Sequence, residues 1–154
     1  MDPQAAVLPR LRTQLAALPA LLESVARDRF DVRPGGAWSV TDTVAHLARY
    51  HEISIERIRA ILTEEAPAFG PYRAEQDPEW PAWQAQSFED LMLRLRASRA
   101  ALIEIVEQLT PEQWARTGRH HVFGTLSLRA WLEFFLAHEG HHLYILMKRA
   151  RGVV

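Results

Sequence analysis

The stretch His138-Glu139-Gly140-His141-His142 carries the most legible chemistry in this chain. On a helix, residues i and i+4 stand one above the other, so His138 and His142 offer two imidazoles that can close on one divalent cation. The spacing also matches H-E-x-x-H, the zinc-protease pattern in which the intervening glutamate is the general base. A zinc or nickel ion usually takes at least a third protein ligand. The twelve residues after His142 contain no His, Asp or Glu, so the third ligand is expected from upstream. Zinc proteases of this pattern generally find their remaining ligand downstream and set the helix beside a sheet, which disfavours the protease reading.

At about 100° per residue, His142 lies about 40° from His138, and Trp131, Phe134, Phe135, Ile145 and Leu146 share that broad face. Two neutral rings on a core face demand partners, which a metal supplies; the alternative is a hydrogen-bonded core pair. His141, about 60° to the other side, is a substitute ligand or a pocket-rim residue. Glu139 points about 100° from His138, where it could orient a ligand or move a proton, or simply face solvent. Upstream, His46 and His51 differ by about 140° in direction, so one regular helix cannot easily direct both at one ion. They occupy opposite margins of an apolar face, and the pattern leaves the choice between them open. His120 and His121 precede the last helix and are expected in solvent.

Four segments with helical spacing must position these groups. Val7, Leu8, Leu11, Leu15, Leu18, Leu22 and Val25 predict a first helix over about 5–27, kinked at Pro19. Ser39 with Asp42 three positions later forms a capping box for a second helix running to about Glu65. Pro67, Pro71, Pro78 and Pro81 break the next twenty residues, yet Phe69, Tyr72, Trp80 and Trp83 predict that this crossover packs on the bundle, with the two tryptophans either roofing a pocket or filling space. Ser87 and Asp90 open a third helix that Thr110-Pro111 ends. Ser127 opens a fourth from Leu128 to about Arg149, after a loop through Gly118, His120, His121 and Gly124. No strand alternation is convincing. Four helices of about 20 residues, each ~30 Å long, pack naturally as an all-α four-helix bundle with room for a central metal.

The 154 residues fit one domain spanning 1–154. Cysteine is absent, so a metal must be held by nitrogen or oxygen, and thiol chemistry would need an external thiol. Eighteen basic and nineteen acidic residues, a formal charge of −1, create no field that attracts nucleic acid. Lys148, Arg149 and Arg151 complement the end of the last helix. Without a basic leader or an apolar run of ~18 residues, the protein is expected to be soluble, unsecreted and free of membrane contact.

Trp38-Ser39-Val40 followed by His46-Leu47, a long second helix, a proline-rich aromatic crossover and the final His138/His142 pair before Leu143 together resemble the DinB/YfiT-like family, from about Trp38 onward. The resemblance implies a four-helix bundle, often dimeric, holding one divalent ion, zinc or nickel, through three histidines: His46, His138 and His142. It thereby selects His46 over His51, and leaves His51 with Glu139 and His141 as candidates to sit behind the ligands. It also implies a cytoplasmic enzyme acting on a small molecule, either transferring a low-molecular-weight thiol of the bacillithiol or mycothiol type to an electrophile or hydrolysing its substrate. A non-catalytic metal-binding bundle is the third expectation. No residue of the chain is singled out as catalytic.

Overall fold

The computed structural model describes residues 2–154. Asp2 caps the first helix, α1 (Pro3–Thr13), by accepting from the Gln4 amide. The run expected as a single helix over 5–27 is divided: a 3-10 turn at Gln14–Ala16 separates α1 from a short α2 (Ala17–Leu21). Pro19 explains the break, since it has no N–H for the Leu15 carbonyl and its ring crowds that turn. The Ser39/Asp42 capping box forms as expected and starts α3 (Val40–Thr63). Arg116 closes the other end of α3, donating to the Ile61 and Glu64 carbonyls that the helix leaves open.

The crossover contains β1 (Ala68–Phe69) and α4 (Trp80–Gln84). Ser87 caps α5 (Phe88–Glu107). Thr110-Pro111 ends that helix and begins another, because Thr110 and Gln113 form a second capping box on α6 (Pro111–Trp114). Ser127 caps α7 (Leu128–Ala150). Among the described residues, no helix is long and apolar enough to cross a membrane.

One feature departs from the all-helical expectation. The presumed loop around Gly118 and Gly124 is a hairpin, β2 (Thr117–His120) and β3 (Gly124–Ser127), and β1 joins β2 in parallel with Ala68 opposite Arg119. Gly124 takes the positive φ of 71° that the tight turn requires. His120 Nδ1 accepts from the amides of Val122 and Phe123 across that turn. These strands of two to four residues are too short to show alternation, and the β1–β2 pairing spans about fifty positions of sequence.

In the bundle, α3 packs on α5 and α7, and α1 also packs on α5 and α7. Helices α1 and α3 therefore stand at opposite corners. The apolar interior is divided in two. One cluster gathers Val7 and Leu11 of α1, Ile58 and Ile61 of α3, Leu102 and Val106 of α5, and Leu132 and Phe135 of α7. The other gathers Leu18, Val44, Leu47, Leu91, Leu95, Leu143 and Leu146 around Trp80 and Trp83. Between them lie Gln14 of the 3-10 turn after α1, His46 and His51 of α3, Arg99 of α5, and His138, Glu139 and His142 of α7. The bundle thus carries a polar layer between two hydrophobic halves.

Candidate metal centre

Helix α3 contributes His46, and α7 contributes His138 and His142 from successive turns. The Nε2 atoms of His46 and His138 stand 3.3 Å apart. The ring centroids of His46 and His142 are 4.3 Å apart, and those of His138 and His142 are 4.5 Å apart. One nitrogen from each of the three rings can be chosen so that all lie within 4.8 Å of one another. Two nitrogens bound at about 2.0–2.1 Å to a tetrahedral ion stand roughly 3.3–3.4 Å apart, so the His46/His138 pair already has ligand spacing and His142 needs only a small approach.

Electrostatics suit the same use. Burial, with His142 nearby, pushes His46 down to about 3; burial and the neighbouring imidazoles push His138 down to about 2; burial and His141 push His142 down to about 4. The three rings therefore stay neutral near pH 7, the form that binds a cation. The Nδ1 atom of each is buried without a hydrogen-bond partner. Ligand histidines usually donate their second nitrogen to an acceptor, and among the described residues no protein group does this here.

Aromatic rings wall the cluster. Trp38 lies 5.0 Å from His46 and stacks on His142 at 6.4 Å. Tyr72 stacks on His46 at 5.9 Å, Trp80 meets His46 edge-on at 6.4 Å, and Tyr50 lies 3.9 Å from His138. Phe134 approaches His138 on the remaining side, at 6.4 Å. Asp77 anchors the Tyr72 hydroxyl and accepts from Arg49 at 2.7 Å, which fastens the crossover to α3. Trp80 thus belongs to the wall, whereas Trp83 packs beneath the Arg94 guanidinium, 3.7 Å away. Tyr50 and Phe134 were legible in principle, each one helical turn from a candidate ligand. Trp38 and Tyr72 come from irregular segments that no periodicity places.

The other sequence candidates fall elsewhere. His51 is fully buried; its Nδ1–H donates to the Leu47 carbonyl at 2.7 Å, and its Nε2 lies 3.2 Å from Glu139 without hydrogen-bond alignment. Glu139 points away from the triad, as its helical position requires, but into the protein rather than to solvent. It accepts from Gln14 at 2.9 Å and from Arg99. Burial alone would raise the Glu139 pKa, but His51 and Arg99 outweigh it and hold the carboxylate ionised. Arg99 also donates to the Leu11 carbonyl. Its burial was foreshadowed by its position among Leu91, Leu95 and Leu102. His141 is exposed, 5.2 Å from the His142 ring at the rim. His120, expected in solvent, is buried among Phe123, Trp131 and Phe134, while His121 is exposed.

Comparison with known proteins finds relatives of the same fold. A putative metal-dependent hydrolase of Oceanobacillus iheyensis is 27% identical over 138 residues, covering 84% of this chain and 78% of that protein. Another so named, from Bacillus mycoides, is 26% identical over 107 residues, 70% of this chain but 61% of its own length. Among solved structures, Bacillus subtilis YfiT, described as a probable metal-dependent hydrolase with an unusual four-helix bundle topology, superposes with a TM-score of 0.81 at 24% identity, covering 98% of this chain and 89% of YfiT. The four-helix bundle protein TT2238 matches with a TM-score of 0.66 at 26% identity, over 93% of this chain and 97% of its own. The family model of the DinB superfamily matches residues 10–146, and the chain belongs to that superfamily.

Proposed function

We propose that His46, His138 and His142 hold one divalent ion, zinc or nickel, and that the site prepares a low-molecular-weight thiol for transfer to a small electrophile. The observation that carries this reading is the character of the surroundings. The rings against the triad are Trp38, Tyr50, Tyr72, Trp80, Phe134 and His141, and among the described residues no carboxylate hydrogen-bonds to it. Glu139, which H-E-x-x-H chemistry would use as a base, is occupied by Arg99 and Gln14. A divalent ion held by three neutral imidazoles keeps its charge and lowers the pKa of a bound thiol or water.

A thiol, with an ordinary pKa near 8.5 against 15.7 for water, would need the smaller shift to ionise on such an ion, with no protein base required. The chain has no cysteine, so the thiol comes from outside. The aromatic wall keeps water from the reacting sulfur and gives an apolar substrate a surface. Hydrolysis by metal-activated water is the second reading, favoured by the description that the relatives carry. The family resemblance further supports a single domain over 1–154 acting as a homodimer in the cytoplasm.

Metal analysis comes first. The purified chain should bind about one zinc or nickel ion, His46→Ala and His142→Ala should lose it, and His51→Ala should retain it. Loss in the His51 variant but not in the His46 variant would overturn the ligand set. Loaded protein is then mixed with bacillithiol and an alkylating electrophile, and separately with esters and amides without thiol. Transfer faster than by metal-free protein is expected. Turnover only in the thiol-free panel would replace the transferase reading with the hydrolase one.

A further inference from the structure

The groove between α2 and α5 takes no part in the histidine site. Leu18 and Leu22 form one bank, Met92 forms the other, and Phe30 and Phe88 also line the hollow, whose volume is about 470 Å³. A smaller hollow of about 260 Å³ continues it toward Arg99, and Leu18, Pro19, Met92 and Arg96 line both. Concave, mostly apolar spaces of this size with a few polar groups are the usual form of small-molecule sites.

The charges along the groove are almost all spent. Glu89 receives two hydrogen bonds from Arg27, at 2.9 and 3.0 Å. Arg12 pairs with Glu107, and Arg99 pairs with Glu139. Arg96 differs: it lines both hollows, and among the described residues it takes part in none of the ion pairs formed. A single unmatched guanidinium at the junction of two apolar hollows complements a ligand with one negative head and an apolar tail. A planar carboxylate matches the guanidinium fork in charge and shape.

We propose that the α2–α5 groove binds a medium-chain alkyl carboxylate, its tail lying along Leu18, Leu22, Phe30, Phe88 and Met92 and its head on Arg96. The site is separate from the histidine triad and independent of what the triad catalyses.

Decanoate, kept below its micellar concentration, is titrated into the full chain and followed by calorimetry, with decanol as the uncharged control. Saturable one-to-one binding of decanoate is expected, with decanol weaker. Arg96→Glu, a surface change, should weaken decanoate by about tenfold or more. Met92→Trp should fill the groove and abolish binding while circular dichroism stays native. His142→Ala should bind as the parent does. Equal affinity for decanol, undiminished binding to Arg96→Glu, or loss in His142→Ala, which would place the carboxylate on the metal site, each overturns the proposal. So does a sedimenting dimer that excludes decanoate and that is dissociated by Leu93→Asp, a change at the exposed leucine on the α5 edge of the groove, because the groove would then belong to a second copy.

Discussion

Replacing Glu139 by glutamine keeps the side chain's size and removes its charge from the centre of the bundle. The carboxylate is fully buried, accepts from Gln14 at 2.9 Å and from Arg99, and lies 3.2 Å from His51. Arg99 is itself only 5% exposed and its Nε has no partner, so without Glu139 a buried cation is left uncompensated. Removing one member of such a pair costs about 3–5 kcal/mol, a large share of the ~5–15 kcal/mol that holds a domain together. At about 2–4 °C per kcal/mol for a chain this long, Glu139→Gln should melt roughly 6–20 °C lower. Arg99→Met should lose a similar amount. The double variant Arg99→Met/Glu139→Leu should recover most of it, since two desolvated charges give way to apolar packing.

Urea unfolding of metal-free protein at pH 7, read by circular dichroism, gives midpoint and slope together. A general base would leave a different trace: an unchanged midpoint and a loss of about 10²–10⁴ in turnover of the loaded protein. A Glu139→Gln variant within about 1 kcal/mol of the parent, at unchanged slope, would refute the assignment of this carboxylate to the buried charge layer.

Other substitutions probe the parts that frame the site. A Cβ at Gly118 would stand 2.9 Å from Ile61 Cγ1 and 3.1 Å from Phe69, so Gly118→Ala should overpack the seam between β2 and α3 and destabilise by about 1–3 kcal/mol in the same unfolding assay. Gly140, between the two α7 histidines, has nothing within 4 Å of the added carbon, and Gly140→Ala should raise stability by about 0.5–1 kcal/mol with metal content unchanged. At Asp42, burial favours the neutral acid, but hydrogen bonds from Arg33, Ser39 and Gln84 prevail and hold the carboxyl at about 2 against an ordinary 3.8. A depressed carboxyl stabilises the fold above its unfolded pKa and loses that contribution as pH falls through the folded one. Stability should therefore drop more steeply between pH 3.8 and 2 in the parent than in Asp42→Asn, as followed by urea midpoints.

Helix existence and caps were local matters and could be read from the chain. Ser39 with Asp42, Ser87 and Ser127 start helices where their side chains satisfy the first free amides, and that chemistry involves neighbours three positions away. The same locality made His138 and His142 a pair before any fold was known. It also misled at Pro19, where the chain tightens over a whole turn instead of kinking, and at Thr110-Pro111, where an expected stop also starts a helix. The hairpin leaves no local pattern in the sequence, because its four-residue strands are held by β1 and by Trp131, which donates to the Gly118 carbonyl.

By itself, the sequence determined four long amphipathic segments, a chelating pair one turn apart on the last of them, and the lack of any thiol. Residue pattern leaves His46 and His51 open and the family resemblance favours His46; tertiary structure adds the neighbour that each margin of the helix meets. His46 meets His138 and His142; His51 meets Glu139, beside the buried guanidinium of Arg99. Tertiary structure likewise decided that Glu139 is held within the bundle, since the carboxylate's partners come from the 3-10 turn after α1 and from α5, forty to more than a hundred residues away in sequence.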